Sequence, residues 1–189
     1  MKKLLALFCA LLTVFTLSAC KKADDGIDYL KKIDFLPKEF TFSDDSGIWK
    51  SAFTLAADGK FSGSFEEINP DEATGEYPGG TVRYCKYSGR FTKMYRYNDF
   101  AYSLYLEELK TEEKSGIEKI TDGVRYISDG AYGLSEGLTY FLYLPETPSS
   151  SFPENFLFYW PYLPENLETM ECYVIKSDDS DSGFFCLDK

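Results

Sequence analysis

The side chains able to coordinate or transfer charge are mostly carboxylates and hydroxyls, and they gather in two places. Asp178, Ser180 and Ser182 put oxygens at alternate positions ahead of Gly183, the layout of the first half of a calcium loop with glycine at its sharp turn. The twelfth position of such a loop needs a bidentate carboxylate, and Lys189 stands there. The segment therefore reads as a polar hairpin tip, with no metal assigned to it. Residues 66–80 bring Glu66, Glu67, Asp71, Glu72 and Glu76 beside Tyr77, an oxygen-rich stretch of the kind hard cations prefer. Loops of this length are often functional, so Asp71, Glu72, Glu76 and Tyr77 are candidate ligand-binding residues, set against the alternative of a solvated loop. Nucleophilic and acid–base chemistry finds less support. The sequence has no histidine, which removes the base of a Ser-His-Asp or Cys-His mechanism. Glu107-Glu108 and Glu112-Glu113 are sequence neighbours, and neighbouring strand residues face opposite ways, which does not suit a pair flanking one glycosidic bond. No catalytic residue and no cofactor is expected, and the chain reads as a non-catalytic binding or interaction module.

The start of the chain addresses it to a membrane. Lys2 and Lys3 precede an apolar run from Leu4 to Thr16, the layout of a secretory signal and too short to span a bilayer comfortably. Leu17-Ser18-Ala19-Cys20 follows directly and resembles the lipobox of bacterial lipoprotein signal peptides. That resemblance implies cleavage before Cys20 and a diacylglycerol on its sulfur. Two acyl chains hold a soluble domain stably, at about 0.8 kcal/mol per buried methylene. The expected organisation is a signal peptide at 1–19, a lipidated cysteine and tether at 20–34, and one extracytoplasmic β domain at 35–189. The expected location is the outer face of the cell membrane, with the membrane itself as a partner through the lipid.

Charge narrows the other partners. Loss of Lys2 and Lys3 from 20 basic residues leaves 18 against 31 acidic ones, a net charge of −13. Nucleic acid demands a basic footprint, and none is present beyond Lys21-Lys22 beside the anchor, which suit lipid headgroups instead. A small ligand, a glycan or an envelope protein remain as partners. The chain has 15 tyrosines and 16 phenylalanines. Most must fill a core, but Tyr77, Tyr95, Tyr97, Tyr132 and Tyr159 fall near expected loops, where a ring with a polar end serves stacking on sugars or proteins.

Three cysteines outside the signal and anchor remain: Cys85, Cys172 and Cys186. A hairpin centred on Asp179 would set Cys172 opposite Cys186, and directly opposed strand residues lie about 4.5 to 5.5 Å apart, within disulfide range. A Cys172–Cys186 bridge with Cys85 as a buried free thiol is expected, against the alternative of three reduced cysteines.

The elements that must position these groups are strands. Phe100, Tyr102, Leu104 and Leu106 alternate with smaller or polar residues in 99–110, and Leu138, Tyr140, Leu142 and Leu144 alternate in 137–144, a strand read as covered on both sides and central. Trp49, Phe53 and Leu55 share one face, as do Phe61, Gly63 and Phe65. A three-residue loop of Ala57, Asp58 and Gly59 pairs Leu55 with Phe61 and Phe53 with Gly63, whereas a two-residue turn would set apolar against polar. Further strands are expected at 39–43, 81–91, 124–127, 170–176 and 184–187. A short helix is expected at Pro153–Trp160, stopped by Pro161. Roughly 170 residues in eight or nine antiparallel strands indicate an all-β fold, a single antiparallel barrel or sandwich.

Gly47-Ile48-Trp49 at the head of a strand is similar to the Gly-x-Trp signature of lipocalin-like barrels, which implies a cup for a small apolar ligand beneath Trp49. Taken together, Phe40-Thr41-Phe42-Ser43, Gly47-Ile48-Trp49, Asp58-Gly59-Lys60-Phe61-Ser62-Gly63, Gly75-Glu76-Tyr77-Pro78, Tyr102-Ser103, Asp122-Gly123-Val124-Arg125-Tyr126-Ile127 and Tyr132-Gly133-Leu134 look like a group of uncharacterised lipoproteins from Gram-positive gut bacteria, over most of residues 38–160. This resemblance implies the anchor and a β-rich domain and carries over no catalytic residue. A lipocalin-like carrier is thus the second reading beside the binding module.

Overall fold

The alternating rows of the sequence become the inward-facing rows of a closed sheet. The computed structural model describes residues 26–44, 46–153, 156, 168–180 and 183–186. Ten strands follow one another: β1 (Lys38–Ser43), β2 (Trp49–Leu55), β3 (Lys60–Asn69), β4 (Thr81–Asn98), β5 (Ala101–Thr111), β6 (Glu118–Thr121), β7 (Val124–Ser128), β8 (Thr139–Tyr143), β9 (Tyr173–Ser177) and β10 (Phe184–Cys186). Eight of them, β1 to β5 and β8 to β10, form an antiparallel barrel that closes where β1 meets β10 at Thr41 and Phe185. Closure removes the free edges that an open sheet would leave. The hairpin β6–β7 stands outside the barrel and joins β4 in parallel over Thr81–Tyr84.

Large and small residues face each other across the interior. Phe40 pairs with Phe53, Phe53 with Gly63, and Phe61 with both Leu55 and Gly89. Each glycine lies opposite a phenylalanine in the same row, which leaves room for rings in a small barrel. Rings then run across the inside at centroid separations of 5.7 Å (Phe40–Phe53), 5.4 Å (Phe53–Phe61), 5.2 Å (Phe61–Phe91) and 5.5 Å (Phe91–Tyr140). Leu55, Leu104, Leu106, Leu142 and Ile175 fill in around them, fully buried.

The three-residue loop is as expected: Leu55 pairs with Phe61, and Gly59 takes a φ of 84°. A left-handed residue is what closes such a loop. β8 lies between β5 and β9, as a central strand should. β4 runs to Asn98, well past the expected end at Phe91, because three register shifts against β5 and a positive φ at Lys93 bend it where it parts from β3. Phe100 sits in the turn before β5 and is 40% exposed, so the buried row of that strand begins further along, at Leu104 and Leu106. β6 was not anticipated, since its four residues are all exposed and show no apolar row.

The packed domain also starts earlier than Phe35. Of the segment expected as a tether, residues 26–34 lie on the barrel: Leu30 N–H donates to the Met94 carbonyl at 2.6 Å, Ile33 N–H donates to the Ala57 carbonyl at 2.9 Å, and Ile33 is buried. Leu30 and Ile33 are the apolar residues of this stretch that turn inward, and they close the end of the barrel beside the β2–β3 turn. The helix expected at Pro153–Trp160 lies, apart from Pro153 and Phe156, outside the described residues, as do Cys20 and the signal segment. Phe156 packs with Phe152, Met170, Cys172, Val174 and Phe185 in a second cluster, against which Tyr143 of β8 also packs.

Candidate functional site

The up-and-down order brings the loops after β1, β3, β5 and β9 to one end of the barrel, and with them Trp49, Asp71, Glu72, Glu76, Tyr77 and Tyr132, whereas Tyr95 and Tyr97 lie on β4 toward the other end. Trp49 opens β2 there, opposite Glu67, which in turn lies opposite Arg83. Tyr132, from the loop between β7 and β8, lies across this mouth. Its ring is 5.2 Å from Trp49, 5.9 Å from Phe42 and 5.3 Å from Phe65, while its carbonyl accepts a hydrogen bond from Ser51 Oγ at 2.8 Å. Trp49 is therefore a wall of a mouth already covered by a ring from the chain itself. Gly133 beside it has a φ of 84° and no room for a side chain, since a Cβ would come within 2.9 Å of the Phe184 ring.

One carboxylate of the acidic loop is met by arginines of β4 and β7. Asn69, at the end of β3, leads into a single 3-10 turn at Pro70–Glu72, which sets Glu72 between two arginines. Its carboxylate accepts from Arg83 Nη2 and Arg125 Nη2, each at 2.8 Å. Arg125 also donates to Thr81 Oγ1 at 3.0 Å and lies 4.6 Å over the Tyr77 ring. The hydrogen bond from Arg83, with further donors at Thr81 and Arg125, holds the Glu72 carboxyl below the usual carboxylate range. Both oxygens of Glu72 are thus engaged by guanidinium groups. Asp71 and Glu76 are exposed and take no part. Among the described residues no group of three or more Cys, Asp or Glu side chains converges as a metal site. Ser182 and Lys189 of the calcium-like stretch fall outside the described residues, so only its first positions are seen, in the turn after β9.

A further concavity, lined mostly by residues that sequence reasoning did not single out, lies on the outer wall. The β6–β7 hairpin stands away from the barrel and leaves a cleft of about 400 Å³ between itself and β3–β4. Tyr84 and Tyr126 form its aromatic side, 6.4 Å apart and edge to face, with Lys119 Nζ 5.8 Å over the Tyr126 ring. Tyr84 O–H donates to Glu113 at 2.7 Å, and Ser64, Glu66 and Lys86 also line it, with Phe65, Val82 and Cys85. A second cleft of about 380 Å³ shares Ser64 and Glu66 and continues over Ala52, Ser62 and Gly63 of β2 and β3. The result is a trough with a floor of small residues and a wall carrying two tyrosines, lysines and carboxylates. The sequence signal was there in Val124–Ile127, but nothing local told that β7 would pair in parallel with β4 and face Tyr126 toward Tyr84.

Cys85 lies where β4 exchanges one neighbour for another. Asp129 N–H donates to the Tyr84 carbonyl at 2.7 Å and Glu112 N–H to the Lys86 carbonyl at 2.9 Å, leaving a cavity of about 80 Å³ between them. Burial, then the nearby Asp129 and Glu112 charges, push the Cys85 thiol up to about 11. Such a thiol is a poor nucleophile at neutral pH. Cys172 and Cys186 form no disulfide, which corrects the expected bridge. Cys186 pairs with Tyr173, one residue away from the register that would oppose Cys172. A slip of one residue sends neighbouring side chains to opposite faces, and Cys186 accordingly packs in the barrel core while Cys172 packs in the outer cluster.

Burial pushes the Cys172 thiol up to about 12, and burial likewise pushes the Tyr87 hydroxyl up to about 12. All three acids stay protonated in the fold beyond their ordinary values of 9.0 for the thiols and 10.0 for the phenol. Their contribution is complete below the unfolded values and is lost as pH rises toward the folded ones. Urea midpoints are therefore expected to be level from neutrality to about pH 9 and to fall between pH 9 and 11. A flat profile to pH 11 would mean that these groups are less buried than described. Compared with known proteins, the chain matches no protein-family model, no curated protein and no solved structure.

Proposed function

We propose that this chain is a membrane-anchored, extracytoplasmic binding module without catalytic activity, and that its outer trough takes a glycan. The trough between β3–β4 and the β6–β7 hairpin carries this reading. Its volume is in the range of small-molecule sites. Tyr84 and Tyr126 offer flat apolar surface, while Ser64, Lys86, Lys119, Glu66 and Glu113 offer donors and acceptors at its borders. A sugar has the matching character, with apolar faces and a rim of hydroxyls. The lipobox-like Leu17-Ser18-Ala19-Cys20 supports the anchor, and the net negative charge supports a partner other than nucleic acid.

A carrier of a small apolar ligand is the second reading, favoured by one observation: the eight-stranded meander has Trp49 at a mouth covered by Tyr132. Against it, rings and leucines occupy the described interior, so such a ligand would have to displace them.

A thermal-shift comparison separates the two. Chito-oligosaccharides, soluble wall fragments and fatty acids are added in turn, because a ligand bound only by the native state raises the midpoint. The expected result is a saturable rise with a saccharide that Tyr126→Ala abolishes while the midpoint without ligand stays nearly unchanged. A rise with fatty acid alone, unaffected by Tyr126→Ala, would replace the first reading with the carrier.

A further inference from the structure

The end of the barrel away from Trp49 collects exposed apolar side chains in a chain that is otherwise strongly acidic. Of nine large exposed apolar side chains among the described residues, four lie here: Ile27 (38%), Tyr29 (37%), Tyr97 (56%) and Phe100 (40%). They are brought together by two elements. Residues 26–37 cross this end, with Leu30 tied to Met94, and the β4–β5 hairpin extends beyond the β2–β3 turn to place Tyr97 and Phe100 near its tip. Tyr29, Tyr95 and Tyr97 continue one another at ring separations of 6.0 and 6.5 Å.

The basic side chains of this end are grouped around its rings. Residues 26–38 and 93–99 hold five basic and three acidic side chains, while Glu146, Glu168 and Glu171 of the β8–β9 connection lie at the same end. Lys31, Lys93 and Arg96 stand exposed among the aromatic residues. Tyrosine and phenylalanine interleaved with lysine and arginine is the composition that suits the headgroup region of a bilayer, where a ring is half solvated and a cation meets phosphate.

Chain length adds a second argument. Cys20 precedes Gly26 by six residues, which span on the order of 20 Å at most when fully extended. A lipid on Cys20 would therefore hold this end, and not the Trp49 end, against the bilayer. We propose that the face formed by Tyr29, Tyr97, Phe100, Lys31, Lys93 and Arg96 docks on an anionic lipid surface. The domain then stands in a fixed orientation with the Trp49 end outward. This rests on the lipoprotein reading for its proximity to the membrane, but the face has its own observable.

The test uses the full chain, purified from host membranes and placed in vesicles of phosphatidylcholine with phosphatidylglycerol. A nitroxide is attached at Tyr97→Cys or, as the opposite end, at Ile48→Cys, which is 49% exposed. The buried native thiols leave the introduced one as the main target. Relaxation by oxygen, which concentrates in lipid, is compared with relaxation by a water-soluble nickel chelate. The expected result is a label at 97 that oxygen relaxes several-fold more than at 48, with the opposite order for nickel. Equal, water-like behaviour at both positions overturns the proposal. Dipolar broadening at 97 with protection from both agents overturns it too, since a second copy of the chain would then cover the face. Mass spectrometry of the same samples reads the acyl groups on Cys20. Its failure to find them would sink the anchor alone, because a lipid-exposed label at 97 would still report docking.

Discussion

Phe53→Ala is expected to destabilise the fold by about 3 to 5 kcal/mol, the range for removing a fully packed aromatic side chain from a core. Phe53 is 2% exposed and lies at the centre of the ring network, 5.7 Å from Phe40, 5.4 Å from Phe61 and 4.9 Å from Phe184. Those three rings come from β1, β3 and β10, so they are held by different strands and cannot all move inward without shearing the barrel. The void would persist, and the cost would include both lost transfer energy and lost contacts. Urea unfolding monitored by two probes gives the measurement, with an unchanged slope showing that the two-state description holds. Phe100→Ala is the control: an exposed ring in a turn, expected to change stability by no more than about 0.5 kcal/mol. A loss under about 1 kcal/mol at Phe53 would mean that the interior relaxes or is already loose. That outcome would favour the carrier reading, since a barrel that gives up a central ring cheaply has space to offer a ligand.

The interior was the part most legible in the sequence. Trp49, Phe53 and Leu55 against Phe61, Gly63 and Phe65 fixed both a face and a loop length, because a side-chain period of two admits only one register that sets apolar against apolar. The same logic failed at Cys172 and Cys186, where the turn between the strands is polar throughout and offers no apolar pair to favour one register over the next. Glu72 could be named as chemically interesting but not as a partner of Arg83 and Arg125. Those arginines come from β4 and β7, and their approach depends on a parallel pairing that local pattern does not encode. The trough was missed for a related reason. It is made by the standing of β6–β7 away from the barrel, and β6 has no apolar row to announce a strand. The segment 26–34 shows the opposite error, a polar composition that hid two anchoring residues, Leu30 and Ile33.

Gly89→Ala is expected to cost about 3 kcal/mol, the upper part of the range for overpacking a well-filled core. A Cβ at Gly89 would lie 2.2 Å from the Glu108 carbonyl oxygen and 2.4 Å from Cζ of Phe61. Neither can give way easily. The carbonyl belongs to β5, whose register against β4 shifts immediately after this point, between Arg90 and Phe91. The ring is held between Phe53 and Phe91, at 5.4 and 5.2 Å. Space that a side chain would ordinarily occupy at position 89 is therefore already filled by a ring from the neighbouring strand, and the glycine is a consequence of Phe61 as much as of backbone geometry. Combining Gly89→Ala with Phe61→Leu separates the two contacts, because the shorter side chain removes the ring clash and leaves the carbonyl in place. The double variant is expected to be more stable than the sum of the single losses, with a coupling of about 1 kcal/mol read from urea midpoints. Strict additivity would assign the whole penalty to the Glu108 carbonyl, and the glycine would then be required by the bend of β4 instead of by the rings inside the barrel.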